Sequence, residues 1–200
     1  MALKPMVAAD LIAQAYKGSV KNSVDTFDDK GVQAFALKDR TLVIPGTNEL
    51  SDWTRYNLPA ITWKTLGSNG QYKFHAGFLK HAQMLLEFAR DNRIKRITGH
   101  SLGAASSQLL AATLDIEALN FAAPKVVFGK WNVVHSKPIV NLNRKDDRVG
   151  KIPRWFYKHI GQTYWLNTKV INDGEDHKIK HYVSAMQMAH VQDVTPIRFA

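Results

Sequence analysis

The 200-residue sequence contains no cysteine. That absence excludes disulfide staples, thiolate zinc sites and a cysteine nucleophile, and with them the small disulfide-rich secreted modules. Long apolar runs are missing too. The longest stretch free of Asp, Glu, Lys and Arg is 97–114, ITGHSLGAASSQLLAATL. Its Ser, Thr, Gln, His and two glycines make it a poor membrane span. The opening MALKPMVAADLIAQAYKGS has no extended apolar h-region and contains Asp10. It reads as an amphipathic helix burying Met6, Val7, Leu11 and Ile12, not as a signal peptide, so a cytoplasmic or lysis-released protein is expected. Acids are scarce: 17 Asp and Glu against 27 Lys and Arg leave a formal charge of +10. Such a surplus invites an anionic partner, whether nucleic acid, an anionic lipid surface or an acidic substrate.

Apolar residues are not scarce. Hydrophobic residues make up 45% of the chain, which is enough for a substantial core and excludes a disordered or fibrous chain. With no repeat, linker or low-complexity segment, residues 1–200 are expected to form one domain. After the first helix, Val32–Leu37 and Thr41–Ile44 read as strands joined near Lys38–Arg40, the second stopped by Pro45-Gly46-Thr47. The mixed segment 48–74 reads as loop with room for a short helix. Phe78, Leu79, Ala82, Leu85, Leu86 and Ala89 recur at helical spacing between His75 and Asn92. Ile94–Thr98 reads as a strand, Leu102–Leu114 as a helix, and Ala118–Ala122, Pro138–Leu142 and Thr163–Leu166 as further strands. A last helix is expected over Lys178–Ala189, burying Ile179, Tyr182, Val183 and Met186. Strands alternating with helices predict an α/β fold around a mostly parallel central sheet flanked by helices.

The most informative segment is Thr98-Gly99-His100-Ser101-Leu102-Gly103-Ala104. It is a Gly-x-Ser-x-Gly placed between a strand and a helix. A serine there sits on a sharp, strained turn that tolerates only small residues two positions either side, here Gly99 and Gly103. The turn raises the hydroxyl above the sheet at the positive end of the following helix, and the N–H of Leu102 can meet a developing oxyanion. A serine nucleophile needs a base, and the base an orienting carboxylate. With this elbow the chain order is Ser, acid, His. Asp146 and Asp147 follow the strand Pro138–Leu142, where catalytic groups gather, and spacing does not choose between them. His177 opens the last helix behind the polar loop Asn172–Asp176, and His181 lies one turn further on, a rival for the base. The two histidines at i, i+4 lack both a His-Glu-x-x-His pattern and a third ligand, so a metal site is not expected. His100 reads as a buried, hydrogen-bonded neighbour of the nucleophile.

These residues carry a resemblance to the class 3 lipases, the family of fungal triacylglycerol lipases, feruloyl esterases and small bacterial and phage homologues. Five segments within about residues 30–185 share it. Leu42–Thr47 resembles the family strand ending in Arg-Gly-Ser/Thr, with Pro45 in place of the arginine. Ser51-Asp52-Trp53 resembles its Asp-Trp, and His75-Ala76-Gly77-Phe78 its His-x-Gly-Phe. Thr98–Ala104 resembles its elbow throughout, and Asn120–Pro124 its Phe-Gly-x-Pro, with Ala122 in place of the glycine. The resemblance implies an α/β-hydrolase-like fold in a small bacterial or phage-type member. Matching the family's Asp-x-Val-Pro-x-x-Pro to Asp147–Pro153 selects Asp147 over Asp146. Matching its His-x-Ile-x-x-Tyr to His177–Tyr182 selects His177 over His181. It further implies Thr47 as the second oxyanion donor beside Leu102, and a lid over 48–63 in which Leu50, Trp53 and Tyr56 meet the substrate. The expected activity is hydrolysis of a carboxylic ester, lipid or small-molecule, with no metal or cofactor.

Charge supplies a second reading. Within 121–160 there are nine Lys and Arg and two acids, a net +7 around the acid loop. This suits an anionic lipid interface near the site mouth. It also suits a catalytically inactive basic module binding nucleic acid or an anionic membrane, although no nucleic-acid motif supports that version.

Overall fold

A computed structural model describes residues 3–47, 60–64, 71–130, 132–153, 156–166 and 177–187. In chain order the elements are α1 (Pro5–Ala15), β1 (Ser23–Asp29), β2 (Val32–Leu37), β3 (Thr41–Ile44), β4 (Ala60–Lys64) and β5 (Gln71–His75). Then come α2 (Ala76–Asp91), β6 (Arg96–His100), α3 (Leu102–Leu114), β7 (Glu117–Phe121) and β8 (Val127–Phe128). The described chain continues through β9 (Ile139–Arg144), a 3₁₀ turn (Val149–Lys151), β10 (Tyr157–Lys158), β11 (Gln162–Leu166) and α4 (Ile179–Gln187).

Seven strands form the main sheet in the order β1-β2-β3-β6-β7-β9-β11. From β3 to β11 every pairing is parallel, while β1, β2 and β3 make an antiparallel edge. The β1–β2 turn is made by Lys30 and Gly31, both at positive φ (50° and 77°), the backbone twist that closes a tight hairpin. Parallel strands covered on both faces read as nearly continuous apolar runs. In β3 all four residues are buried. Leu42 and Ile44 join a core with α2, α3, Ala34, Ala36, Ile97 and Ala118, while Val43 joins the opposite core with Phe35, Leu119, Leu142, α1 and α4. The molecule is thus layered as α1 and α4, sheet, then α2 and α3.

Sequence and structure differ in three places. Helix α1 buries Ala8, Ala9, Ile12 and Ala15, while Val7 is 48% exposed and Met6 and Leu11 are half-buried. Alanines win that face because they let the helix approach the sheet and α4 closely. Strand β1 was not expected, since its sequence SVDTFDD is mostly exposed and polar. The expected loop 48–74 contains β4 and β5, which with β8 and β10 form a second, antiparallel sheet in the order β10-β8-β5-β4. Residues 60–63 of the expected lid segment therefore lie in β4. No described helix is long and apolar enough to cross a membrane.

Candidate active site

Ser101 sits between β6 and α3 at φ 58°, ψ −123°. An L-residue pays of order 1–3 kcal/mol for such a conformation, so the surrounding packing must impose it. That packing leaves no room for side chains. A Cβ on Gly99 would lie 2.4 Å from the carbonyl oxygen of Gly103, and one on Gly103 would lie 2.2 Å from that of Ile44. The elbow is pressed against the end of β3 on one side, and the Ser101 N–H bonds the Phe121 carbonyl at the end of β7 on the other (3.1 Å). The Ser101 side chain does not cap α3; its hydroxyl is turned to His177 instead.

His177 stands two residues before α4 and spans the gap between serine and carboxylate. Its Nε2 is 2.8 Å from Ser101 Oγ, and its Nδ1 is 2.9 Å from Asp147 Oδ2. Serine and aspartate are buried, whereas the histidine side chain is 31% exposed. Asp147 is held from three directions. The Val149 N–H donates to Oδ1 (2.8 Å), and the Tyr182 hydroxyl donates to Oδ2 (2.8 Å) beside the His177 bond. Burial alone would push this carboxyl up; the histidine's hydrogen bond and charge, the Val149 N–H and the tyrosine hydroxyl outweigh it and hold it below the usual value. The same burial and the adjacent carboxylate drive Tyr182 far above its ordinary value, so it stays a phenol and a donor.

Neither rival raised by the sequence stands in the bonded chain from Ser101 through His177 to Asp147. Asp146 is clamped by the fully buried Arg144, whose Nε and Nη2 reach Oδ1 and Oδ2 at 2.9 and 2.6 Å. His181 lies in α4, one helical turn beyond His177. His100 is buried with Nδ1 2.7 Å from the Tyr16 hydroxyl, and its ring lies 4.8 Å from that of His177. Burial and the nearby His177 lower its pKa to about 3, so it stays neutral.

Thr47 follows the end of β3, and its hydroxyl oxygen is buried with no hydrogen-bond partner among the described residues. Leu102 is the first residue of α3, where helix geometry leaves the N–H without an intrahelical acceptor. Leu50, Trp53 and Tyr56 lie outside the described residues. Among the described residues no group of three or more His, Asp or Glu side chains converges as a metal site. Tyr16 and Tyr182 went unassigned by sequence reasoning. Tyr182 had a signal, the tyrosine that closes the His177–Tyr182 motif; Tyr16, 84 residues before its partner His100, had none.

A serine on a strained strand-to-helix turn, bonded through histidine to a buried carboxylate beyond the ends of parallel strands, places the fold among the α/β-hydrolase-like proteins. The chain belongs to the class 3 lipase family: the family model "Lipase (class 3)" matches residues 41–157, more than half of it. Among solved structures it is similar to lipase II from Rhizopus niveus, with 18% identity and a TM-score of 0.61 over 82% of this chain and 78% of that one. It is also similar to Rhizomucor miehei triacylglyceride lipase, with 16% identity and a TM-score of 0.58 over 82% and 78%. At that identity the likeness concerns the fold. A curated relative, Protein TIC 214 of Lobularia maritima, is 41% identical over 54 residues; the chain spans 3% of its length, too little to carry an argument.

Proposed function

We propose that the protein hydrolyses carboxylic esters, lipid esters included, through an acyl-enzyme on Ser101. The observation that carries this is the unbroken chain from Ser101 Oγ through His177 to Asp147. His177 Nε2 takes the serine proton as Oγ attacks the ester carbonyl. Asp147 holds the Nδ1–H tautomer and stabilises the imidazolium, and the phenol of Tyr182 keeps that carboxylate charged and oriented. The N–H groups of Leu102 and Thr47 receive the oxyanion, and each such donor is worth roughly 3–4 kcal/mol in the transition state. His177 then returns its proton to the leaving alcohol and activates water to release the acid. The ester's own carbonyl is the electrophile, so these steps call on no metal or cofactor.

Support for a lipid substrate comes from the family and from neighbours whose names describe lipases, one of them titled as a triacylglycerol lipase whose catalytic centre is a serine protease triad. Leu50, Trp53 and Tyr56 are proposed to border the acyl site. Their support is their place in the chain, directly after Thr47. Arg144 is buried on Asp146, a neutral pair that leaves the net charge of the stretch unchanged. Lys145, Arg148, Lys151 and Lys158 remain exposed near the acid loop and favour an anionic lipid interface.

The test is the hydrolysis of p-nitrophenyl esters of increasing chain length, with an aromatic ester included, by the wild type and by Ser101→Ala. The wild type is expected to turn over at least one ester, with a rate loss on the order of 10⁴-fold or more in the variant. Equal rates in the two proteins would sink the enzyme reading, and salt-sensitive nucleic-acid binding would then put the basic-module reading in its place.

A further inference from the structure

We propose that Tyr16, at the end of α1, is a positioning residue for the oxyanion hole, clamping the peptide that precedes Thr47; this rests on the esterase reading above. Its hydroxyl accepts the Gly46 N–H at 2.9 Å and lies 2.7 Å from His100 Nδ1. The ring stands edge-on to His100, with centroids 5.6 Å apart. Gly46 has no space for anything else. A Cβ there would meet the Tyr16 hydroxyl at 2.6 Å, Ser101 Cβ at 2.8 Å and the His100 carbonyl at 3.0 Å.

The reason this clamp matters is local. Thr47 is one peptide beyond Gly46, the residue with the widest backbone freedom, so the direction of its N–H depends on how the Pro45–Gly46 peptide is held. Pro45 offers no N–H to anchor the strand end. The carbonyl side of that peptide is packed against the elbow, since the oxygen of Pro45 would lie 2.5 Å from a Cβ on Gly103. Its N–H side is held by Tyr16 alone among the described hydrogen bonds. With both sides fixed, the swing of Gly46 is confined and the Thr47 N–H keeps one direction.

Proton accounting along the network agrees. The phenol oxygen accepts from Gly46, which leaves its own proton available to His100 Nδ1. Burial keeps His100 neutral and Tyr16 un-ionised, so this arrangement persists around neutral pH. The residue beside the nucleophile and the residue before the oxyanion donor are thereby fixed to the same helix.

The test is Tyr16→Phe, which keeps the ring and removes the hydroxyl. We compare kcat and KM on p-nitrophenyl butyrate, inhibition by phenylboronic acid as a tetrahedral adduct, and Tm. Loosening one oxyanion donor without deleting it is expected to lower kcat about 10- to 30-fold. Boronate affinity should fall by a similar factor, with KM within about twofold. Unchanged kcat, or a fall in Tm with kcat and boronate affinity intact, overturns the proposal.

If Tyr16→Phe fails to fold, 4-aminophenylalanine introduced at position 16 keeps the ring and a donor toward His100 but offers the Gly46 N–H only a poor acceptor. It is expected to lower kcat and boronate affinity together by about 2- to 5-fold, and no change overturns the proposal. A wild-type protein that neither hydrolyses the ester nor binds the boronate overturns the esterase reading, and this one with it. An active wild type indistinguishable from Tyr16→Phe overturns this one alone.

Discussion

At the scale of single residues, the site turns on how the Asp147 carboxylate is kept charged in a dry environment. A buried carboxylate without partners would take up a proton. Here three donors compensate it, and two of them, the Tyr182 hydroxyl and the His177 ring, come from the segment that ends in α4. Asp147→Asn should keep the fold and lower kcat on the order of 10⁴-fold, because the amide favours the wrong histidine tautomer. Tyr182→Phe removes one donor to Asp147 and the acceptor of the Arg144 N–H. It should cost about 1–2 kcal/mol of stability in urea titrations and a smaller loss of kcat, about 10-fold. A larger kinetic loss from Tyr182→Phe than from Asp147→Asn would contradict these roles.

At the scale of elements, the elbow and α1 show opposite uses of small residues. In the elbow, Gly99 and Gly103 let β6 turn into α3 against the backbone of β3. In α1, alanines bring a helix close to the sheet so that Tyr16, just past its last turn, reaches Gly46 and His100. The face assignment is testable. Ala9→Leu overfills a site with no exposure and should cost about 1–3 kcal/mol, whereas Val7→Glu should change stability by less than about 0.5 kcal/mol. Denaturant midpoints for the two variants decide it, and a costly Val7→Glu would restore the face expected from periodicity. If the clamp at Gly46 acts as proposed, Ala9→Leu should also lower kcat by displacing Tyr16.

At the scale of the whole molecule, buried neutral histidines make the fold sensitive to acid. Burial lowers His81 to about 4, burial and His177 lower His100 to about 3, and burial lowers His159 as well. Each is below its unfolded value, so between about pH 6.5 and these folded values the unfolded chain binds more protons than the native one. Stability therefore rises with pH across that window and falls as the solution is acidified. Asp147 adds a loss of the same sign at lower pH, as the medium passes its own depressed value. Each fully effective histidine contributes a slope of about 1.4 kcal/mol per pH unit. Urea unfolding between pH 4.5 and 6.5 should show a positive slope that His81→Gln reduces by roughly that amount. A flat profile would mean that these rings are hydrated or already protonated in the native state.

Much of this was legible in the chain because it is encoded locally. The elbow needs a strand, a small residue on either side of a serine and a helix, and 98–104 contains all of that in seven positions. The parallel strands announced themselves as apolar runs, being buried on both faces. The polar edge strand β1 and the second sheet did not, because their residues are chosen by pairing partners distant in sequence. The choice of Asp147 over Asp146, open on spacing alone, needed a family pattern; in the folded chain it follows from Arg144 occupying one carboxylate and Tyr182 the other. Sequence alone thus singled out the serine of the elbow, the alternation of strands and helices along the parallel sheet and the fold class, since each depends on neighbours within a few residues. Only the tertiary structure decided which acid faces the histidine, which side of α1 is buried and that Tyr16 reaches Gly46 beyond the end of β3. Those contacts join residues far apart in the chain, Tyr16 and His100 being 84 positions apart and α1 and α4 further still, and the packing of the sheet layers selects them.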